Sequence, residues 1–374
     1  MSTPLAWRNL VHDRSRLLLA VLGIAFAVQL MAIQLSLLLG FAQTASGVID
    51  HAGVDLWIGG RGTRNIDQAG EIPARRQFEA LEVPGVESAD KYIVQFAVLR
   101  RPDGGSEFVI LVGFNVSHGL GGPWNMVEGS VEDLKLPGNI IVDDLYRQKL
   151  GITHVGQVIE INNHRMRIAG ITHGIRTFAQ SPYIFASFNT AQNATNVARG
   201  ATNYVLVKSQ PGTDQNAVKR ALAEKMPGVA VFTSSEFARS TQIYWLFSTG
   251  AGLDLILAAF LGVVIGVVIT AQTLYASAVD HLPEYATLRA MGAADRYLTF
   301  VIVKQALVNA AVGYSLGAGA AMVIVGLGGQ GVAAMWLPWQ LIMGLGFVTV
   351  LMCVGAGIMA IRRVITVSPT SVFR

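Results

Sequence analysis

The chain has 374 residues, of which 52% are hydrophobic and only 14% charged. That balance excludes an ordinary soluble globular protein, and a net charge of +4 with the cations gathered beside apolar runs points to lipid headgroups, not nucleic acid. With a single cysteine, Cys353, no intramolecular disulfide can form, so any domain outside the membrane is held by its core alone.

Four apolar runs, at 17–41, 246–279, 298–327 and 338–361, are each long enough to span a bilayer, which takes about 20 residues. The first is too long for a signal-peptide core of roughly 7–15 residues and lacks a small-residue cleavage site, so it reads as an uncleaved anchor. Arg8, Arg14 and Arg16 precede it, Arg362, Arg363 and Arg374 follow the fourth run, and the connection between the third and fourth carries no charge. By the positive-inside rule both termini and the 280–297 loop are cytoplasmic, and 43–245 lies outside.

The external segment alternates short strands with turns. Strands are predicted over 54–58, 92–100, 108–113, 139–142, 158–161 and 165–171, with helices over 74–81 and 144–150. Pro102, Asp103 and Gly104 supply a hairpin turn at 101–105. From 201 to 233 a strand, an amphipathic helix (214–225) and a second strand form a small β-α-β part, set apart from a strand-rich part over 43–200. Leu222–Met226 followed by PGVAVFT resembles the earlier 74–81 helix followed by VPGVESADKYIVQF, which suggests an internal repeat. The fold class is therefore an α+β membrane protein: four transmembrane helices with a large mixed α/β domain between the first and second.

Catalytic signals are missing from the sequence. There is no GxxxxGK[ST] loop to bind ATP in the P-loop manner, and no HExxH, GxSxG or CxxC pattern. His154, His164 and His173 fall on successive strands, where exposed histidines are the ordinary expectation. Gly59, Gly60 and Gly62 lack the lysine and helix of a phosphate cradle and read as a flexible loop. The second apolar run, at about 1.5 Å per residue, exceeds a hydrocarbon core of about 30 Å, so it is expected to project outward as a stalk with Asp254 in its wet part. Lys304 can snorkel to the cytoplasmic face. Small residues mark helix contacts: Gly262 and Gly266, Gly313 and Gly317, and Gly23 with Ala27.

The charged loop HLPEYATLRAMGA between the second and third runs is the most specific feature. Pro283 suits a first helical turn and Gly292 a helix stop. Tyr285, Leu288 and Met291 then share one face, an apolar ridge that needs a cover. Glu284 near the N-terminal end and Arg289 toward the C-terminal end suit the helix dipole.

One span, a large external domain and three further spans, with DHLPEYATLRAMGAADRY after the second span and RRVITVSPTSVFR at the C-terminus, resemble the MacB/FtsX-like ABC transporter permeases. The loop Glu284, Tyr285, Ala286, Thr287, Leu288, Arg289, Ala290, Met291 and Gly292 is most similar to the DevC branch. LAWRNLVHDRSR fits the family's amphipathic lead-in helix over 1–16, with Trp7, Leu10 and Val11 toward lipid. The resemblance implies a bacterial inner-membrane subunit without catalysis of its own, paired with two copies of a cytoplasmic ATPase that holds the ATP and magnesium. It also implies docking of that ATPase on 283–292, and a periplasmic adaptor and outer-membrane channel as further partners. A LolC/LolE-like lipoprotein extractor and an FtsX-like signal relay are the alternatives, the latter having smaller external domains. A second copy of the chain is expected to meet the first through Gly23, Ala27, Gly262 and Gly266.

A cysteine placed at Ser106 should be blocked by impermeant reagents and one at Ala294 only by reagents that cross the membrane; the reverse pattern would invert the topology. Leu288→Asp should abolish ATPase association without impairing membrane insertion, measured by co-purification, and normal binding would remove the loop as the docking element.

Overall fold

A computed structural model of the chain describes residues 14–177, 181–280, 294–328 and 334–366, with Thr287 and Met291. It divides into two units, Phe41–Leu253 and a second formed by Met1–Gly40 with Asp254–Arg374. Helices α1 (Arg14–Asp50) and α7 (Gly250–Asp280) contribute residues to both.

In the first unit, β1 (Leu56–Gly60), α2 (Arg76–Leu81) and β3 (Val86–Arg100) make one β-α-β element. Strand β11 (Tyr204–Ser209), α5 (Gln215–Lys225) and β12 (Val229–Thr233) make another. They interleave as an antiparallel sheet in the order β12-β1-β11-β3, a ferredoxin-like arrangement. The repeat read from the sequence is thus real in the backbone. Because β11 lies between β1 and β3, the parts expected on either side of residue 201 share one sheet.

Strand β3 is 15 residues long and serves two sheets. Its first half pairs with β11, and its second half pairs with β4 (Ser106–Phe114) and β7 (Val158–Ile161). From β4 the ladder continues through β9 (Tyr183–Ser187), β6 (Asn139–Asp143) and β8 (His164–Thr172) to β7, which returns to β3 and closes a six-stranded barrel. A short β5 (Met126–Glu128) hangs on β8, β2 (Ile72–Pro73) pairs with β10 (Ala201–Thr202), and the short helices α3 (Arg147–Leu150) and α4 (Phe188–Ala194) follow β6 and β9. The β3–β4 turn has the expected chemistry: Arg101 N donates to Gly105 O at 2.8 Å, and Gly104 takes φ +88°.

Period-two alternation sorts side chains between cores. Ile93, Ala97, Leu99, Val109, Leu111 and Ile184 fill the barrel. Val94, Ile110, Val112 and Phe185 point the other way, into a core centred on Trp57, Tyr92, Tyr204 and Phe237. On the opposite face of the four-stranded sheet, α2 and α5 cover Leu56, Ile58, Val205 and Val207 with Ala80, Val218 and Leu222.

Two elements depart from the sequence reading. The segment expected to be a flexible loop begins as β1, which contains Gly59 and Gly60, and after a turn at Gly62 it runs into buried Asn65, Ile66 and Asp67. The helix expected without a break over 246–279 is two helices, α6 (Ser234–Phe247) and α7. Ser248 ends α6 with its amide on Tyr244 O, and the Thr249 hydroxyl accepts from Gly252 N at 3.2 Å, as an N-cap does. Hydropathy alone cannot register such a hydroxyl-mediated break.

Among the described residues four helices are long and apolar enough to span a membrane, with candidate spans Leu18–Asp50, Gly250–Thr273, Thr299–Gly328 and Trp339–Ile358. The latter two lie in α8 (Asp295–Gly328) and α9 (Trp339–Thr366). Alanines of α8, Ala306, Ala310, Ala318 and Ala321, pack with Ile24, Val28 and Met31 of α1 and with Leu345, Cys353 and Ala356 of α9. Small side chains let the backbones close, as dispersion and packing must do where lipid removes the hydrophobic difference.

At Gly317 a β-carbon would lie 2.4 Å from Ala25 O, whereas at Gly319 it would meet nothing within 4 Å. Gly317→Ala should therefore lower stability by about 1–3 kcal/mol through overpacking, while Gly319→Ala should be neutral or stabilising. Thermal unfolding of the detergent-solubilised chain checks the pair, and equal shifts would contradict the α1–α8 contact.

Candidate functional site

The end of α1, the helix that carries the first span, and the start of α6, the helix that precedes the second, both lie in the core around Trp57. Val48 and Ile49, near the end of α1, are buried there beside Ala52. Ala52 O accepts from Gly121 N at 2.9 Å, the His51 ring stacks on Trp124 with centroids 4.2 Å apart, and the buried Tyr92 hydroxyl holds Gly121 O at 3.0 Å. Helix α6 begins with a capping box in which Thr233 and Glu236 satisfy each other's backbone amides. Its Phe237 packs on Trp57, Tyr204 and Phe232, and its Ser234 hydroxyl accepts from the Trp57 indole. Gln242 Nε2 then donates to Ser46 Oγ at 2.8 Å, so the two helices are tied directly to each other.

A second attachment runs along α6. The Ser240 hydroxyl donates to Arg64 O at 2.9 Å, the Tyr244 hydroxyl to Gln68 Oε1 at 3.0 Å, and the Trp245 indole to Asp67 Oδ2 at 3.1 Å. Asn65 fixes this loop by accepting from the amides of Asp67 and Gln68, and the Tyr204 hydroxyl reaches the carbonyls of Asn65 and Ile66. Asp67 is buried and also accepts from the Tyr183 hydroxyl at 3.3 Å. Burial pushes its carboxyl up to about 6, against the opposing effect of the bonds from Trp245 and Tyr183.

Of the residues singled out in the docking loop, Pro283, Glu284, Tyr285, Ala286, Leu288, Arg289, Ala290 and Gly292 lie outside the described residues. Thr287 and Met291 are described: Met291 N donates to Thr287 O at 3.0 Å, the i to i−4 bond of a helical turn, and the Met291 side chain is exposed. The small residues of the first and second spans meet within one copy of the chain. A β-carbon on Gly23 would meet Thr273 Oγ1 at 2.9 Å, one on Gly262 would meet Gln34 Cγ at 3.0 Å, and one on Gly266 would meet Met31 Cγ at 3.0 Å. Ala27 is fully buried. Their faces are filled by α1–α7 packing, which a helical spacing cannot distinguish from contact with a second chain.

His154, His164 and His173 are not brought together: they bond to Thr153, to Asn162 O and to Asp144, respectively. Among the described residues no cluster of three or more His, Cys, Asp or Glu could hold a metal. Asp254 lies in the second turn of α7 and is exposed.

Sequence reading missed α6 and its partner loop. The capping signal TSSE at 233–236 was available, but the apolar run beginning at 246 drew the helix start downstream. Nothing local marks Asp67, since its partners lie 116 and 178 residues away.

The family model for the MacB-like periplasmic core domain matches residues 17–225, and that for the FtsX-like permease C-terminal region matches residues 238–369. No curated protein sequence matches the chain significantly. Among solved structures, the periplasmic region of MacB from Actinobacillus actinomycetemcomitans is 11% identical with TM-score 0.41, covering 50% of this chain and 92% of that one. The extracellular domain of the noncanonic ABC-type transporter YknZ from Gram-positive bacteria is 12% identical with TM-score 0.37, covering 48% and 98%. A permease-protein domain from Porphyromonas gingivalis is 14% identical with TM-score 0.33, covering 48% and 86%. With one model matched from the first span through the α/β domain and the other across the remaining spans, the chain belongs to the MacB/FtsX-like family of ABC transporter permeases, multi-pass membrane subunits that work with an ATPase.

Proposed function

We propose that this chain is the permease of an exporter in which ATP hydrolysis, with its magnesium, takes place in a separate cytoplasmic subunit docked on 283–292. The resulting motion is passed to the α/β domain, which drives substrate outward through a periplasmic adaptor and an outer-membrane channel. The observation that carries this reading is the joint anchoring of α1 and α6 in one core, with Gln242 on Ser46. A shift of either helix must displace that core, because close-packed interiors transmit strain and do not absorb it. The likeness of the loop 284–292 supports assigning the chain to the DevC branch, and in this reading it sits in the inner membrane with both termini cytoplasmic. Two copies with two ATPase subunits make the symmetric assembly. Since Gly23, Ala27, Gly262 and Gly266 are used inside each copy, the copies would meet through the outward apolar face of α7, where Leu257, Phe260 and Leu261 are exposed.

Spin labels on a Glu224→Cys variant carrying Cys353→Ala, reconstituted with the ATPase, test both parts. Dipolar coupling between copies should appear, and its distance distribution should change between the nucleotide-free and vanadate-trapped states. A pair distance that does not respond to nucleotide would remove the transmission mechanism, and absence of coupling would remove the pairing.

A further inference from the structure

Asp67 is a carboxylate in an unusual position: buried, held by an indole and a phenol, and without a cation. Among the described residues no cation acts on it, and the basic side chains nearest in sequence and on the facing helix, Arg64 and Arg239, are exposed. The side chains bonded to it are uncharged, Trp245 from α6 and Tyr183 from β9, and the phenol of Tyr204 is near enough to feel its charge. Tyr183 from β9, Tyr204 from β11 and Tyr92 from β3 are all raised by burial and stay neutral across the physiological range. Asp67 is therefore the one group of this cluster that changes charge between about pH 5 and 7.

We propose that Asp67 is a proton-responsive latch that makes the docking of α6 on loop 61–70 depend on the pH of the compartment bathing the α/β domain. Both links survive protonation. The neutral acid can still accept from the Trp245 indole on one oxygen and can donate to the Tyr183 hydroxyl from the other. What protonation removes is the cost of keeping an unpaired charge out of water. The carboxyl is raised in the docked state from 3.8 to about 6, so its contribution to docking is complete below about pH 4 and is lost as pH rises through about 6. Acid tightens the latch, and neutral pH loosens the segment that enters α7.

The test uses the full chain in lipid nanodiscs with 5-fluorotryptophan at its six tryptophans, Trp245 being assigned by Trp245→Phe. The Trp245 fluorine resonance should titrate with a midpoint near 6, and Asp67→Asn should abolish that titration. Tyr183→Phe, which removes a donor to the carboxylate, should raise the midpoint; this keeps the test decisive should the Asn variant fold poorly. Amide exchange across 240–247, corrected for intrinsic rates, should be about tenfold more protected at pH 5 than at pH 7.5. A Trp245 resonance that is flat over this range, an unchanged titration in Asp67→Asn, or a Tyr183→Phe midpoint equal to the parent's would overturn the proposal.

Discussion

The aromatic core around Trp57 is the constraint on which the external domain depends, because it is where separate stretches of chain must agree. Trp57 from β1 meets Tyr92 and Tyr204 edge-on, with centroids 5.6 Å from each, and Phe237 at 5.4 Å. Each ring belongs to a different element, so the sheet, α6 and the end of α1 are positioned by one set of contacts. Aromatic pairs of this geometry contribute roughly 0.5–1.5 kcal/mol beyond the area they bury. They also fix angles, which a core of aliphatic side chains alone specifies less sharply.

Around that core the long β3 does the topological work. Its first half completes the ferredoxin-like sheet and its second half opens the barrel, so the two substructures cannot shift register independently. A one-residue slip would exchange Val94 for Ile93 between two cores and turn every alternate side chain of the strand the wrong way. In the membrane unit, by contrast, specificity rests on small residues: Ala306, Ala310, Gly313 and Gly317 let α8 approach α1 closely enough for backbone atoms to touch.

Polar groups in the external domain are buried where two elements must be joined and not merely packed. Ser234 links Trp57 to Val54 O, Ser46 accepts from Gln242, and Tyr204 holds the carbonyls of loop 61–70. These bonds contribute little net energy while formed, yet leaving one partner buried and unpaired costs about 1–3 kcal/mol. Asp67 is the extreme case, since its bonds offset only part of the desolvation of a charge.

Four spanning segments, the hairpin at 101–105, most barrel strands and the family resemblance carried by 284–292 were legible because each is written locally, in hydropathy, turn residues or a contiguous motif. The β-α-β repeat was visible as a faint echo, since α2 and α5 share a pattern although the strands they connect pair with distant partners. The closure of β7 onto β3, the break between α6 and α7, and the burial of Asn65, Ile66 and Asp67 were decided only by tertiary structure. Each depends on partners more than 50 residues away or, for the helix break, on a threonine hydroxyl competing with a backbone carbonyl. Gly262 and Gly266 show the same division from the other side. Their spacing announces close helix contact, but only the fold selects α1 of the same chain as the surface they meet, because a missing side chain encodes proximity and carries no address.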